Sequence, residues 1–128
     1  MVKLTAKFSF MEHFDKLYNT GWSDWKSFPD PRKGEYLYVP LGSGVYQLRN
    51  KRIDKYILFG TGKHLACRMT SLLPNPFGAG TRNNEDKRNY VLNNLQDIEY
   101  RTISFIDNND AKLFENYIKS VEQYLFNT

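Results

Sequence analysis

Cysteine is almost missing from this chain: Cys67 stands alone among 128 residues. A single thiol builds no intramolecular disulfide, so an intracellular, cytoplasmic setting is expected. Histidine is nearly as scarce. His13 and His64 lie far apart in sequence, and with one cysteine they leave no four-ligand set for structural zinc. No run approaches the roughly 18 apolar residues of a membrane helix, and Met1-Val2-Lys3-Leu4 opens no secretory leader, so no membrane partner is expected. Internal repeats, low-complexity tracts and signs of a second domain are absent too. Acidic residues are outnumbered, 14 against 18 Lys and Arg, for a net charge of +4. That excess is compatible with a polyanionic partner without demanding one. The basic residues cluster, with Arg49, Lys51, Arg52 and Lys55 in one group and Arg82, Lys87 and Arg88 in another.

What is present is apolar enough to fold. Hydrophobic residues make up 41% and aromatics 16% of the chain, which excludes disorder and suits one domain with a modest core. Ser9-Phe10-Met11-Glu12 has capping-box spacing and predicts a short helix through Phe14, Leu17 and Tyr18, stopped by Gly21. Trp22, Trp25 and Phe28 precede Pro29-Asp30-Pro31, an irregular loop. Aromatics near a domain edge pack over an open face, with a base-stacking platform as the other reading. Residues 36–39 predict a strand ended by Pro40 and Gly42.

Residues 44–48 and 56–59 are apolar runs separated by Asn50-Lys51-Arg52-Ile53-Asp54, a polar segment with turn chemistry, and predict a β-hairpin. Folding it about Arg52 sets Tyr46 opposite Leu58. Gly60-Thr61-Gly62 then opens a helix that buries Leu65, Met69 and Leu72 and carries Arg68 on its edge. After a Pro/Gly loop at 74–80, residues 85–96 predict a helix burying Val91, Leu92 and Leu95. Residues 99–106 predict a strand. Asp107-Asn108-Asn109-Asp110 supplies a turn and N-cap for a last helix over 111–126, with Phe114, Tyr117, Ile118, Val121 and Leu125 on its apolar stripe. The fold class is therefore α/β in the α+β sense: a small, mostly antiparallel three-stranded sheet flanked by helices. Residues 1–41 form an extension packed on a domain of residues 42–128.

Four features stand in order: Gly44-Val45-Tyr46, Leu58-Phe59-Gly60, Arg68 eight residues later, and Glu115 within Phe114-Glu115-Asn116-Tyr117-Ile118-Lys119. This set resembles the GIY-YIG nuclease family, with GVY standing for GIY and LFG for YIG. The likeness spans residues 42–127 and is closest to the N-terminal incision domain of the bacterial nucleotide-excision-repair endonuclease. The resemblance implies a metal-dependent endonuclease that hydrolyses DNA phosphodiester bonds. It assigns Tyr46 to activation of the attacking water, Arg68 to charge at the phosphate, and Glu115 to one Mg²⁺ or Mn²⁺. A free tyrosine has a pKa near 10, so acting as a base requires positive charge beside it. A lone carboxylate suits Mg²⁺, which keeps several waters.

The sequence departs from the family at two polar positions, where Leu58 replaces the second tyrosine and Leu72 follows Arg68 by one turn. Tyr56, two residues before Leu58, is expected on the face of Tyr46 in compensation. His64, one turn before Arg68, is expected to supply an acid or a phosphate contact. Lys63, Arg82, Lys87 and Arg88 are the expected nucleic-acid contacts, and a homodimer would cut both strands. The competing readings are a catalytically inactive nucleic-acid-binding relative and a protein-interaction module on the same scaffold. Other motifs are excluded. Gly60-Thr61-Gly62-Lys63-His64 has Ile57 where a phosphate-binding loop needs glycine and His64 where it needs Ser or Thr. No nucleophile-elbow pattern supports a Ser-His-Asp hydrolase.

Overall fold

The computed structural model describes residues 2–78 and 84–126, with side chains from residue 11 onward within those ranges. In chain order the elements are α1 (Val2–Thr20), β1 (Lys26–Ser27), β2 (Gly44–Asn50), β3 (Lys55–Gly62), α2 (Leu65–Thr70), α3 (Glu85–Asn93), β4 (Ile98–Ser104) and α4 (Asn108–Val121). The sheet has four strands in the order β1-β4-β2-β3, every pair antiparallel. The α+β class holds, but the strand count is four, not three. The added strand comes from the extension, where Lys26 and Ser27 pair with Tyr100 and Glu99. Residues 36–39 are not a strand; Leu37 and Val39 pack against the core as extended chain.

Helices cover both faces of the sheet, which is why the central strand β2 is buried almost throughout. Beneath α2 and α3, Tyr46, Leu48, Leu58, Leu65, Met69, Val91 and Tyr100 share one core. Beneath α4 and α1, Val45, Phe59, Ile103, Phe114 and Ile118 share the other. The N-terminal aromatics take the packing role, with Phe14 edge-on to Phe114 at 5.6 Å and Trp22 at 6.1 Å from the same ring. None of the helices among the described residues is long and apolar enough to cross a membrane.

Several boundaries differ from expectation. Helix α1 begins well before Ser9. Once nucleated, a helix propagates cheaply through a stretch free of Gly and Pro, so the capping-box pattern does not mark its start. Gly21 does follow its end. Helix α3 stops at Asn93 and gives way to a 3-10 turn over Leu95–Asp97. Helix α4 starts earlier, with the Asp107 carboxylate accepting from the Asn109 amide at 2.9 Å, and ends at Val121. The following residues leave the helix to cover the outer edge of β3, where the Leu125 and Phe126 amides donate to the Tyr56 and Ile57 carbonyls. Covering that edge removes a template for strand addition.

The hairpin register also differs. Tyr46 pairs with Gly60, and Leu48 with Leu58. The turn holds four residues, fixed by the buried Asn50, whose side-chain oxygen accepts from the Arg52 amide at 3.0 Å while its nitrogen donates to Tyr90. A bulge then inserts Ile57 between the Leu48 and Arg49 pairings. A centred turn plus one extra residue moves Tyr46 two places along β3. A shift of two preserves the face, so Tyr46 stays where the alternation puts it.

Candidate active site

Glycines shape the ground on which the cluster stands. A Cβ on Gly44 would lie 2.6 Å from the Ile103 carbonyl oxygen and 2.9 Å from Leu65 Cδ2, so β2 meets both β4 and α2 only without a side chain there. A Cβ on Gly60 would lie 2.6 Å from Tyr46 Cε1 and 2.8 Å from its hydroxyl oxygen. The phenol therefore lies flat across Gly60. At Gly62 the nearest atom would be Arg68 Cβ, at 3.5 Å, so the stem of Arg68 runs beside the same strand. Leu65 and Met69, both fully buried, clamp α2 to the sheet, and the Leu65 amide donates to the Gly42 carbonyl at 2.9 Å. That anchoring turns Arg68 toward Tyr46 and leaves it open to solvent.

Tyr46 is only 5% exposed, and burial pushes its pKa up to about 12; the charge of Arg68 and its hydrogen bond to the phenol pull the other way, and Glu115 adds a smaller upward push. Desolvation wins. Arg68 alone therefore leaves the phenol protonated at neutral pH.

Glu115 reaches the same end of β3 from α4, on the opposite side of the sheet. Thr61 Oγ1 donates to its Oε2 at 2.8 Å, and Lys119 Nζ lies 3.5 Å from its Oε1. Thr61 stands between Gly60 and Gly62, which carry no side chains to separate carboxylate from phenol. Lys87 completes the cluster from α3. Burial, then the charge of Arg68, holds its ammonium below the usual lysine range. Helix α3 is tied to the end of α2 by Asn84, whose amide donates to Ser71 Oγ at 3.1 Å. Arg68 and Tyr46 are thus bonded on one face of the sheet, Lys87 lies within the field of Arg68, and Glu115, on the other face, lies near enough to act on the phenol.

Other expected residues fall elsewhere. The Ile57 bulge turns Tyr56 to the opposite face from Tyr46, where it stacks on Trp25 (6.3 Å between centroids) and tilts against Tyr124 (5.7 Å). It does not replace the second tyrosine. Leu58 is fully buried and Leu72 is 2% exposed, so both of those places are filled with hydrocarbon. Arg88 pins the loop after α2: its guanidinium donates to the Leu73 carbonyl at 3.1 and 2.8 Å and to the Gly78 carbonyl at 3.2 Å. His64 is exposed at the N-cap of α2 and its side chain makes no capping bond there. Lys63 is exposed beside it. Arg82 lies outside the described residues.

Two participants escaped the sequence reading. Thr61 was legible in principle, since the alternation of β3 sends it to the face of Val45, toward α4. Lys119 was legible as the residue one turn beyond Glu115. Among the described residues no group of three or more His, Cys, Asp and Glu gathers to hold a metal. Glu115, held by a hydroxyl and only partly exposed, is the carboxylate whose charge reaches Tyr46. Comparison with protein-family models, with curated proteins and with solved structures returned no match, so the geometry stands by itself.

Proposed function

We propose that the protein is a metal-dependent endonuclease of the GIY-YIG type that hydrolyses DNA phosphodiester bonds at the Tyr46–Arg68–Glu115 cluster. The observation that carries this reading is the phenol of Tyr46, laid over Gly60 within the fields of both the Arg68 guanidinium and the Glu115 carboxylate. Glu115 fits a hard divalent ion, because Mg²⁺ takes one or two carboxylates and keeps waters for its other positions. The Thr61 hydroxyl orients that carboxylate. Glu115 would hold Mg²⁺ or Mn²⁺, which would supply Lewis acidity and positive charge at the phosphate.

The protein's own groups do the rest. Arg68 offers a planar fork of donors to phosphate oxygens, where charge grows during in-line displacement. Lys87 adds a second cation, partly stripped of water and so stronger at short range. Tyr46, protonated at neutral pH and accepting from Arg68, has its own O–H left to hold and orient the attacking water. Lys119 neutralises Glu115 when no metal is present.

Incubation of supercoiled plasmid with the purified chain and Mg²⁺ or Mn²⁺ tests this directly. Nicking by the wild type, abolished in both Tyr46→Phe and Glu115→Ala, is the expected result. Absence of nicking with either ion, at any protein concentration that binds the plasmid, refutes the enzyme. The burial of Leu58 and Leu72 favours one second reading, a nucleic-acid-binding relative without catalysis. It predicts plasmid binding that weakens steeply with salt and no nicked product.

A further inference from the structure

The hairpin tip carries a second feature on the sheet face opposite Tyr46. Two adjoining hollows, of about 380 and 260 Å³, share Asp54, Lys55 and Tyr56 in their walls. Tyr124 closes one and Arg49 the other. Both are lined by Tyr56, half-buried and packed between Trp25 and Tyr124. Trp25 stacks on it with 22° between the ring planes, and Arg49 covers Trp25 at 4.0 Å. Arg101 lies 4.4 Å from Trp25 and 4.5 Å from Trp22, and donates to Gln47 Oε1 at 2.7 Å. Gln47, fully buried, spends its amide on the Tyr18 and Tyr124 hydroxyls. The aromatic wall is therefore rigid before any ligand arrives, which lowers the entropy lost on binding.

The rim is cationic. Lys55 is exposed, and Arg49 keeps part of its guanidinium in solvent while bridging Glu99 at 2.8 Å. An aromatic wall between two cations suits a flat, negatively charged ligand. An unmodified peptide brings no phosphate to the two cations. Asp54, the one acid in the wall, is an acceptor for the exocyclic amine of a base.

We propose that this groove binds one unpaired nucleotide of a nucleic-acid strand, its base stacked on Tyr56 and its phosphate between Arg49 and Lys55. The proposal rests on the nucleic-acid partner of the reading above and is independent of cleavage. Such stacking tolerates any base, because each has a π-face.

Fluorescence anisotropy separates stacking from charge, using a labelled short oligothymidylate and an abasic oligomer of the same length and charge. The wild type is expected to bind the oligothymidylate at least about fivefold tighter, the low end of what one stacked base supports. Tyr56→Ala erases that preference, Tyr56→Phe keeps it, and Lys55→Glu weakens both probes alike. Equal affinity of the wild type for the two probes overturns the proposal, and so does a preference that survives in Tyr56→Ala. Should Tyr56→Ala fail to fold by circular dichroism, Tyr56→Leu takes its place with the same expected loss. A base preference without plasmid nicking removes the nuclease and leaves the groove; nicking without a base preference does the reverse.

Discussion

Replacing Gly60 by alanine tests the geometry of the cluster more sharply than removing any of its polar groups. The new Cβ would stand 2.6 Å from Tyr46 Cε1 and 2.8 Å from both Cζ and the hydroxyl oxygen. Carbon atoms rest about 3.5 Å apart or more, so the ring has to retreat by roughly 1 Å. It cannot do so freely, because Tyr46 sits in the core with Leu48, Leu58 and Leu65. Overpacking of this kind costs about 1–3 kcal/mol. A displacement of about 1 Å at a reacting group costs on the order of a hundredfold in rate. Gly62→Ala is the internal control. Its nearest contact would be 3.5 Å, and its φ lies outside the left-handed range, so it is expected to be neutral or to stabilise by about 0.5 kcal/mol through the unfolded chain. Urea unfolding gives the stability difference and plasmid nicking gives the rate. In a Tyr46→Ala background the Gly60→Ala penalty should vanish, a coupling that a double-mutant cycle reads directly. Equal stability of Gly60→Ala and the wild type, or a penalty unchanged in the Tyr46→Ala background, refutes the placement of the phenol over the strand.

Further perturbations address the other groups. Tyr46 ionises near pH 10 when unfolded and near 12 when folded, so its contribution is full below pH 10 and is lost as pH rises to about 12. The loss is on the order of 2–3 kcal/mol, and urea midpoints should fall further over that window in the wild type than in Tyr46→Phe; parallel falls contradict the assignment. Thr61→Val deprives Glu115 of its orienting donor and should weaken Mn²⁺ binding, followed by electron paramagnetic resonance, by about tenfold. Lys119→Ala removes the competing ammonium and should shift the same titration the opposite way. Arg88→Ala strips donors from the Leu73 and Gly78 carbonyls and should destabilise by roughly 1–3 kcal/mol. Lys87→Ala should leave the urea midpoint within error and weaken plasmid affinity, measured by filter binding.

The fold was legible where burial imposed a period. Leu65, Met69 and Leu72 all reach the core, as their spacing requires, and Phe114 and Ile118 do the same on α4. Elements whose existence depends on a distant partner were not. Lys26 and Ser27 have no strand pattern of their own and pair only because β4 presents a free edge. Residues 36–39 alternate like a strand, yet the Tyr38 amide spends its hydrogen bond on the Tyr100 hydroxyl rather than on a neighbouring strand. The tail after Val121 continues an apolar helical stripe, and the unpaired carbonyls of Tyr56 and Ile57 draw its backbone away. Each case turns on a hydrogen bond between residues far apart in the chain, which local patterning does not encode.

The cluster was legible for a different reason. Tyr46, Arg68 and Glu115 were picked out by the order and spacing of motifs that resemble the GIY-YIG family; periodicity sets the face of each side chain and by itself brings none of them to the same end of the sheet. Compensation for Leu58 was the step that failed. It assumed an unbroken alternation along β3, and one inserted residue at Ile57 was enough to reverse the face of Tyr56. The same insertion makes sense of the neighbouring core: Ile57 and Leu58 both enter the apolar layer with Leu48, while Tyr56 is delivered to Trp25 and Tyr124. A hydroxyl at position 58 would have to be satisfied inside that layer, and burying one without a partner costs about 1–3 kcal/mol. Leucine there follows from the packing of the bulge. Any polar help for Tyr46 must then come from outside β3, and Arg68, which bonds the phenol from α2, is the group that gives it.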